Sequence, residues 1–170
     1  KGIEKIDMKN FVKIEKIITK LQTLCKKGFA GPGVKKTNQD NFFIYNNFNN
    51  NSNYIYLGVC DGHGMFGQDV SGYLVNTLPQ NMNTNLLTGD ISTLAVESKE
   101  KLYPIISSTF VSTNLDMTED ERVDSSFSGS TCVTLFYTPS RLICANVGHS
   151  RCVIGKFDGQ NWKSKNLSRD

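Results

Sequence analysis

A chain of 170 residues with 38% apolar and 21% charged content is long enough to bury one substantial core, and its composition fits a soluble globular protein. Its formal net charge of +3 is mild, and the lysines and arginines are spread out, which argues against a nucleic-acid-binding stripe. No run approaches the roughly 18 consecutive apolar residues of a membrane span, and no signal-peptide pattern opens the chain. Because the chain starts at Lys1 without Met, we expect a fragment of something longer. The five cysteines (Cys25, Cys60, Cys132, Cys144, Cys152) are odd in number, sit in apolar runs and form no Cys-x-x-Cys pair. That usage points to buried, reduced thiols in an intracellular, cytoplasmic protein.

Residues 8–25 carry Phe11, Ile14, Ile17, Ile18, Leu21 and Leu24 at spacings of three and four, with Asp7 before them and Gly28 after. The spacing predicts an amphipathic helix, basic on its outer face and docked on its own domain. We take 1–22 as this N-terminal helical segment and 23–170 as the domain proper. Gly31-Pro32-Gly33 predicts a turn. Asp40–Tyr45 reads as a strand. The asparagine-rich Asn46–Asn53 reads as a solvated, mobile hairpin loop, because a second apolar run, Ile55–Cys60, follows it.

That second run ends in Asp61-Gly62-His63-Gly64, and a helical pattern then begins: Val70, Leu74, Leu78, Met82. A strand, a turn bearing an acid and a histidine, and a helix are expected here, with Pro79 kinking or ending the helix. A second helix is expected from about Ile91 to Val111. The acidic stretch Asp116–Asp124 reads as a solvated connector, lacking the glycine and alternation of a calcium loop. From Phe127 onward the pattern is β: Ser130–Tyr137, Arg141–Val147, Arg151–Phe157 and Asn161–Leu167, the last two joined by the hairpin dipeptide Asp158-Gly159. Several of these strands are apolar on both faces and need cover above and below. The expected class is therefore α+β, a layered arrangement with sheets between helices.

Three polar stretches stand apart: Lys35-Lys36-Thr37-Asn38-Gln39-Asp40, Asp61-Gly62-His63-Gly64, and Asn146-Val147-Gly148-His149-Ser150-Arg151. Glycines around Asp61 let backbone approach a ligand, so the Gly62 carbonyl can join the Asp61 carboxylate. Oxygen donors of this kind suit Mg²⁺ or Mn²⁺, and His63 is placed to donate a proton beside such an ion.

Asn38-Gln39-Asp40, Val59-Cys60-Asp61-Gly62-His63-Gly64-x-x-Gly67, Ser128-Gly129-Ser130-Thr131 and Ala145-Asn146-Val147-Gly148-x-Ser150-Arg151 together resemble the metal-dependent protein phosphatases, the type 2C serine/threonine phosphatases. The resemblance covers roughly residues 23–170. It implies an α-β-β-α sandwich of which about the first half is present. It implies hydrolysis of phosphoserine and phosphothreonine in phosphoprotein substrates at a site holding two Mg²⁺ or Mn²⁺ ions. Composition adds the expectation of no nucleic-acid or membrane partner; a monomer is favoured, with the oligomeric state left open. Asp61 matches the bridging metal ligand, Gly62 the carbonyl ligand, and Asp40 with Gln39 the acidic pair near the metals. Lys35 matches the phosphate-gripping arginine and His63 the general acid.

Three positions depart from the family pattern. Gln39 stands for a common glutamate. Lys35 lacks an arginine's bidentate fork. His149 stands for an aspartate that helps bind an extra metal, and it is either a weak extra site for a softer metal or a plain turn histidine. Two further aspartates of the family site lie beyond this stretch, so this chain alone is expected to be inactive. A catalytically inactive, phosphatase-like interaction module is the alternative.

Overall fold

The computed structural model describes residues 18, 20–29, 31–33, 36–89 and 97–169. The strands β1 (Asp40–Asn46), β2 (Ile55–Gly64), β3 (Ser128–Ser130), β4 (Cys132–Tyr137) and β5 (Leu142–Val147) form one antiparallel sheet. Its order is β1-β2-β4-β5, with β3 pairing the far end of β2. Helices α1 (Gly67–Thr88) and α2 (Lys99–Glu119) cover one face, and β6 (Val153–Phe157) with β7 (Trp162–Asn166) form a separate ribbon. This is the mixed, layered α+β class expected from the sequence.

Period-2 alternation decides which side chains meet the helices. Phe43, Tyr56, Cys60, Cys132 and Phe136 point to one face and pack with Leu78, Met82 and Leu86 of α1 and Leu102 and Ile106 of α2. Tyr56 and Phe136, both fully buried, stack with ring centroids 4.0 Å apart. Each such side chain removes enough apolar surface to contribute roughly 1.5–3 kcal/mol. The helices also meet through polar groups. Asn81 donates to Thr113 Oγ1 at 3.1 Å and Asn85 to Thr109 Oγ1 at 2.9 Å, and both threonines are buried. On the opposite sheet face, Phe42, Leu57, Val59, Val133 and Leu135 line a cavity of about 250 Å³ that Leu21–Thr23 border.

Several sequence expectations change. Most of the helix expected over 8–25 lies outside the described residues, and its described end, 20–25, is irregular. The Asn46–Asn53 loop is not merely solvated. It makes a short 3₁₀ turn at Phe48–Asn50 that inserts Phe48, fully buried, beside Tyr56 and Phe136. Asn47, Asn49 and Asn50 adopt positive φ there, a conformation asparagine tolerates better than most residues. The turn expected at Asp61 is still strand, because β2 continues through Gly64 by pairing with β1 and β3.

Pro79 does not end α1, which runs on to Thr88. Proline removes the bond to the Val75 carbonyl, but burial of Leu78, Pro79 and Met82 holds both flanks to the core. The second helix starts at Lys99, where the Ser98 hydroxyl accepts from the Lys101 N–H, while 91–96 lie outside the described residues. It extends to Glu119, so the first four residues of the acidic stretch taken as connector are helix. Finally, Cys60 and Cys132 are buried free thiols, but Cys25 is exposed. No helix among the described residues is long and apolar enough to cross a membrane.

Candidate functional site

The site is built at the end of the sheet where β1 begins and β2 leaves its pairing with β4. Asp40 is directly opposite Asp61 in the β1–β2 register. Cross-strand partners share a face, and so do residues two apart, so Asp40, Asp61 and His63 all project from the same side of the sheet. Burial, then the charge of Asp61, raises the Asp40 pKa above its ordinary 3.8, and Lys36 opposes the shift. Two like charges held this close are a natural seat for a hard divalent cation, which prefers carboxylate oxygen. Among the described residues, however, no group of three or more His, Cys, Asp or Glu is gathered in one place. The donors fit Mg²⁺ or Mn²⁺ in kind.

Gly62 sits where the backbone of two other segments closes on it. A Cβ there would stand 2.3 Å from the Gly67 carbonyl oxygen and 2.6 Å from that of Gln39, so any side chain is excluded. Its N–H donates to the Gln39 carbonyl at 3.2 Å, and the buried Ser71 hydroxyl of α1 donates to the same oxygen at 2.6 Å. The Gln39 side chain also turns toward α1. Its amide nitrogen donates to the Gly64 carbonyl at 2.7 Å and lies 3.2 Å from Gln68 Oε1. A glutamate has no proton to give the Gly64 carbonyl, so Gln39 here closes the junction between β1, β2 and α1.

His63 is exposed and pairs with Gly129 of β3. Its ring lies across that glycine, since a Cβ at 129 would come within 2.8 Å of the imidazole. Lys35 lies outside the described residues, while its neighbour Lys36 is described and its charge acts on Asp40. His149 is exposed at the bend after β5; its neighbour Ser150 is the turn residue that reaches the strand system of Asp61.

Two residues that sequence reasoning gave no role are central to the geometry. Thr131 grips Asp61 from the opposite strand, and Ser150 holds Thr131. The Ser128–Thr131 and Gly148–Arg151 stretches were visible as motifs, but no spacing rule shows that they touch.

An open cavity of about 600 Å³ adjoins the carboxylates, lined by Asp40, Asp61, Ser150, Arg151 and residues 22–26. A larger one, about 890 Å³, lies between α2 and β5. Its lining by Leu102, Ile106, Phe110 and Ile143 is apolar, and neither carboxylate reaches it. Chemistry assigns the site to the smaller cavity.

The protein phosphatase 2C family model matches residues 26–170. Probable protein phosphatase 2C 65 of Arabidopsis thaliana is 32% identical over 148 residues, which take in 81% of this chain and 39% of that protein. Probable protein phosphatase 2C 35 of the same plant is 31% identical over 147 residues, 86% of this chain and 39% of its own length. This chain thus spans well under half the length of these curated relatives. In fold, the serine-threonine phosphatase 2C of Toxoplasma gondii aligns with a TM-score of 0.62 at 16% identity, covering 80% of this chain and 46% of that one. With the family model spanning nearly everything after the first 25 residues, the chain belongs to the protein phosphatase 2C family.

Proposed function

We propose that the protein carrying this chain hydrolyses phosphoserine and phosphothreonine esters in proteins at a site for two divalent cations, Mg²⁺ or Mn²⁺, of which this chain supplies one part. The observation that supports the reading is the opposed pair Asp40 and Asp61, with His63 on the same sheet face. Asp61 and the Gly62 carbonyl would hold the cations, with Asp40 beside them and Gln39 bracing the strand they sit on. Such ions supply neutralisation of charge at a phosphoryl centre and a water nucleophile at neutral pH.

The chain's own groups would supply several of the remaining parts. Asp40 and Asp61 orient the attacking side of the site. Lys35 contributes positive charge toward the phosphate. His63 gives its ring N–H proton to the departing serine or threonine oxygen as the phosphorus–oxygen bond breaks, which leaves inorganic phosphate and the free hydroxyl. His149 at the exposed bend is a site for an additional, softer metal or a turn residue without a catalytic part.

The test is phosphate release from a phosphothreonine peptide by the purified full-length protein that carries this chain, with Mn²⁺ and with chelator. The reading expects turnover that is lost in chelator and restored by Mn²⁺. Turnover that persists in chelator, or survives Asp61→Asn unchanged, contradicts it.

A further inference from the structure

The rung of the sheet that carries Asp61 is irregular. Gly62 pairs with Ser130 and Val59 with Val133, so Thr131 stands opposite Asp61. A regular rung would exchange two backbone bonds or none. Here the Thr131 N–H donates to the Asp61 carbonyl at 2.9 Å, but the Asp61 N–H donates to the threonine hydroxyl, at 3.1 Å, and not to its carbonyl. The Thr131 carbonyl instead accepts from Ser130 Oγ at 2.8 Å. The bond that fixes the Asp61 N–H therefore depends on the rotamer of one side chain.

That rotamer is held from both sides by the turn after β5. On the hydroxyl side, Ser150 Oγ lies 2.6 Å from Thr131 Oγ1. A hydroxyl has one proton and two acceptor sites, so a Thr131 oxygen that accepts from Asp61 can still bond the serine. On the methyl side, Gly148 lies so close that a Cβ there would stand 3.1 Å from Thr131 Cγ2, and its φ of +85° disfavours any other residue. We infer that Ser150 is a positioning residue for Asp61, acting through Thr131, and that the Gly148–Ser150 turn serves as a clamp on that threonine. The inference rests on the reading of Asp61 as a cation ligand. It gives the turn a role that does not depend on His149.

Loss of a group that orients a ligand typically weakens metal binding by about 10–100-fold. The experiment is calorimetric titration of Mn²⁺ into the purified protein and into Ser150→Ala, Ser150→Thr, Thr131→Val, Asp61→Asn and the Ser150→Ala/Thr131→Val double variant. Metal-free melting curves serve as the folding control. Ser150→Ala is expected to weaken Mn²⁺ binding about tenfold. Ser150→Thr, which keeps the hydroxyl, is expected to restore it. The double variant is expected to bind no more weakly than Thr131→Val alone, because the two residues act in series.

Unchanged binding in Ser150→Ala, or losses that add in the double variant, overturns the positioning role. Should Ser150→Ala fail to fold, Ser150→Cys keeps the volume with a poor hydrogen-bonding group and is read by the same criterion. The two levels separate cleanly. Asp61→Asn binding Mn²⁺ like the wild type rejects the cation reading itself. Loss in Asp61→Asn beside unchanged Ser150→Ala rejects only the clamp.

Discussion

Asp40 faces Asp61 directly across the β1–β2 pair, and burial together with the Asp61 charge holds the Asp40 carboxyl above its ordinary pKa of 3.8. Folding alone would not favour this arrangement, since like charges opposite one another on adjacent strands are destabilising. The pair makes sense as half of a cation site, whose repulsion a bound ion relieves.

A pH dependence follows. An acid whose folded pKa is raised binds more protons in the native state, so stability falls as pH rises through the interval between the unfolded and folded values. The penalty is absent below the ordinary 3.8 of the unfolded chain and complete above the raised folded pKa. In chelator, Asp40→Asn should therefore melt higher than the wild type at neutral pH. The gap should close as pH falls toward the ordinary carboxylate range. Mn²⁺ should raise the wild-type melting temperature and leave that of Asp40→Asn much less changed. Melting curves across that interval, with and without Mn²⁺, check all three statements.

His63 offers a test that depends on the leaving group. If its proton goes to a serine or threonine oxygen, His63→Asn should slow phosphopeptide hydrolysis by about 10²–10⁴-fold. Hydrolysis of p-nitrophenyl phosphate, whose leaving group needs no proton, should fall far less. Steady-state kinetics on both substrates decides the matter, and equal losses would assign His63 a merely structural role over Gly129.

Gln39 separates structure from charge. In Gln39→Glu the donor to the Gly64 carbonyl is lost, and a negative charge is added next to Asp40 in the chain. Losing that exposed hydrogen bond should lower metal-free stability by about 0.5–1.5 kcal/mol. The added charge should also make the stabilisation by Mn²⁺ larger than in the wild type. Denaturant titrations with and without Mn²⁺ measure both quantities.

Much of this was legible in the sequence because alternation and turn residues are local signals. The strands at Asp40 and Ile55, the later β region and the Asp158-Gly159 hairpin all appear where those signals place them. Misreadings occurred where tertiary context overrides local chemistry. Asp61-Gly62-His63-Gly64 looks like a turn, yet β1 and β3 pair along it and keep it extended. The asparagine run hides Phe48, whose burial depends on Tyr56 and Phe136 arriving from two other strands. The α1–α2 contact includes two Asn–Thr pairs, which hydrophobic periodicity does not register. At the site, the carboxylates and His63 were visible as residue types. Thr131 and Ser150 were not, because their roles arise from contacts across 70 and 19 positions of chain.

The most direct test of the account is electron paramagnetic resonance of Mn²⁺ titrated into the purified wild-type protein, Asp40→Asn and Asp61→Asn. The account predicts that wild-type protein removes the free-ion signal, that Asp61→Asn leaves it nearly intact, and that Asp40→Asn falls between. Equal Mn²⁺ uptake by all three proteins would contradict the claim that the opposed carboxylates form the cation site.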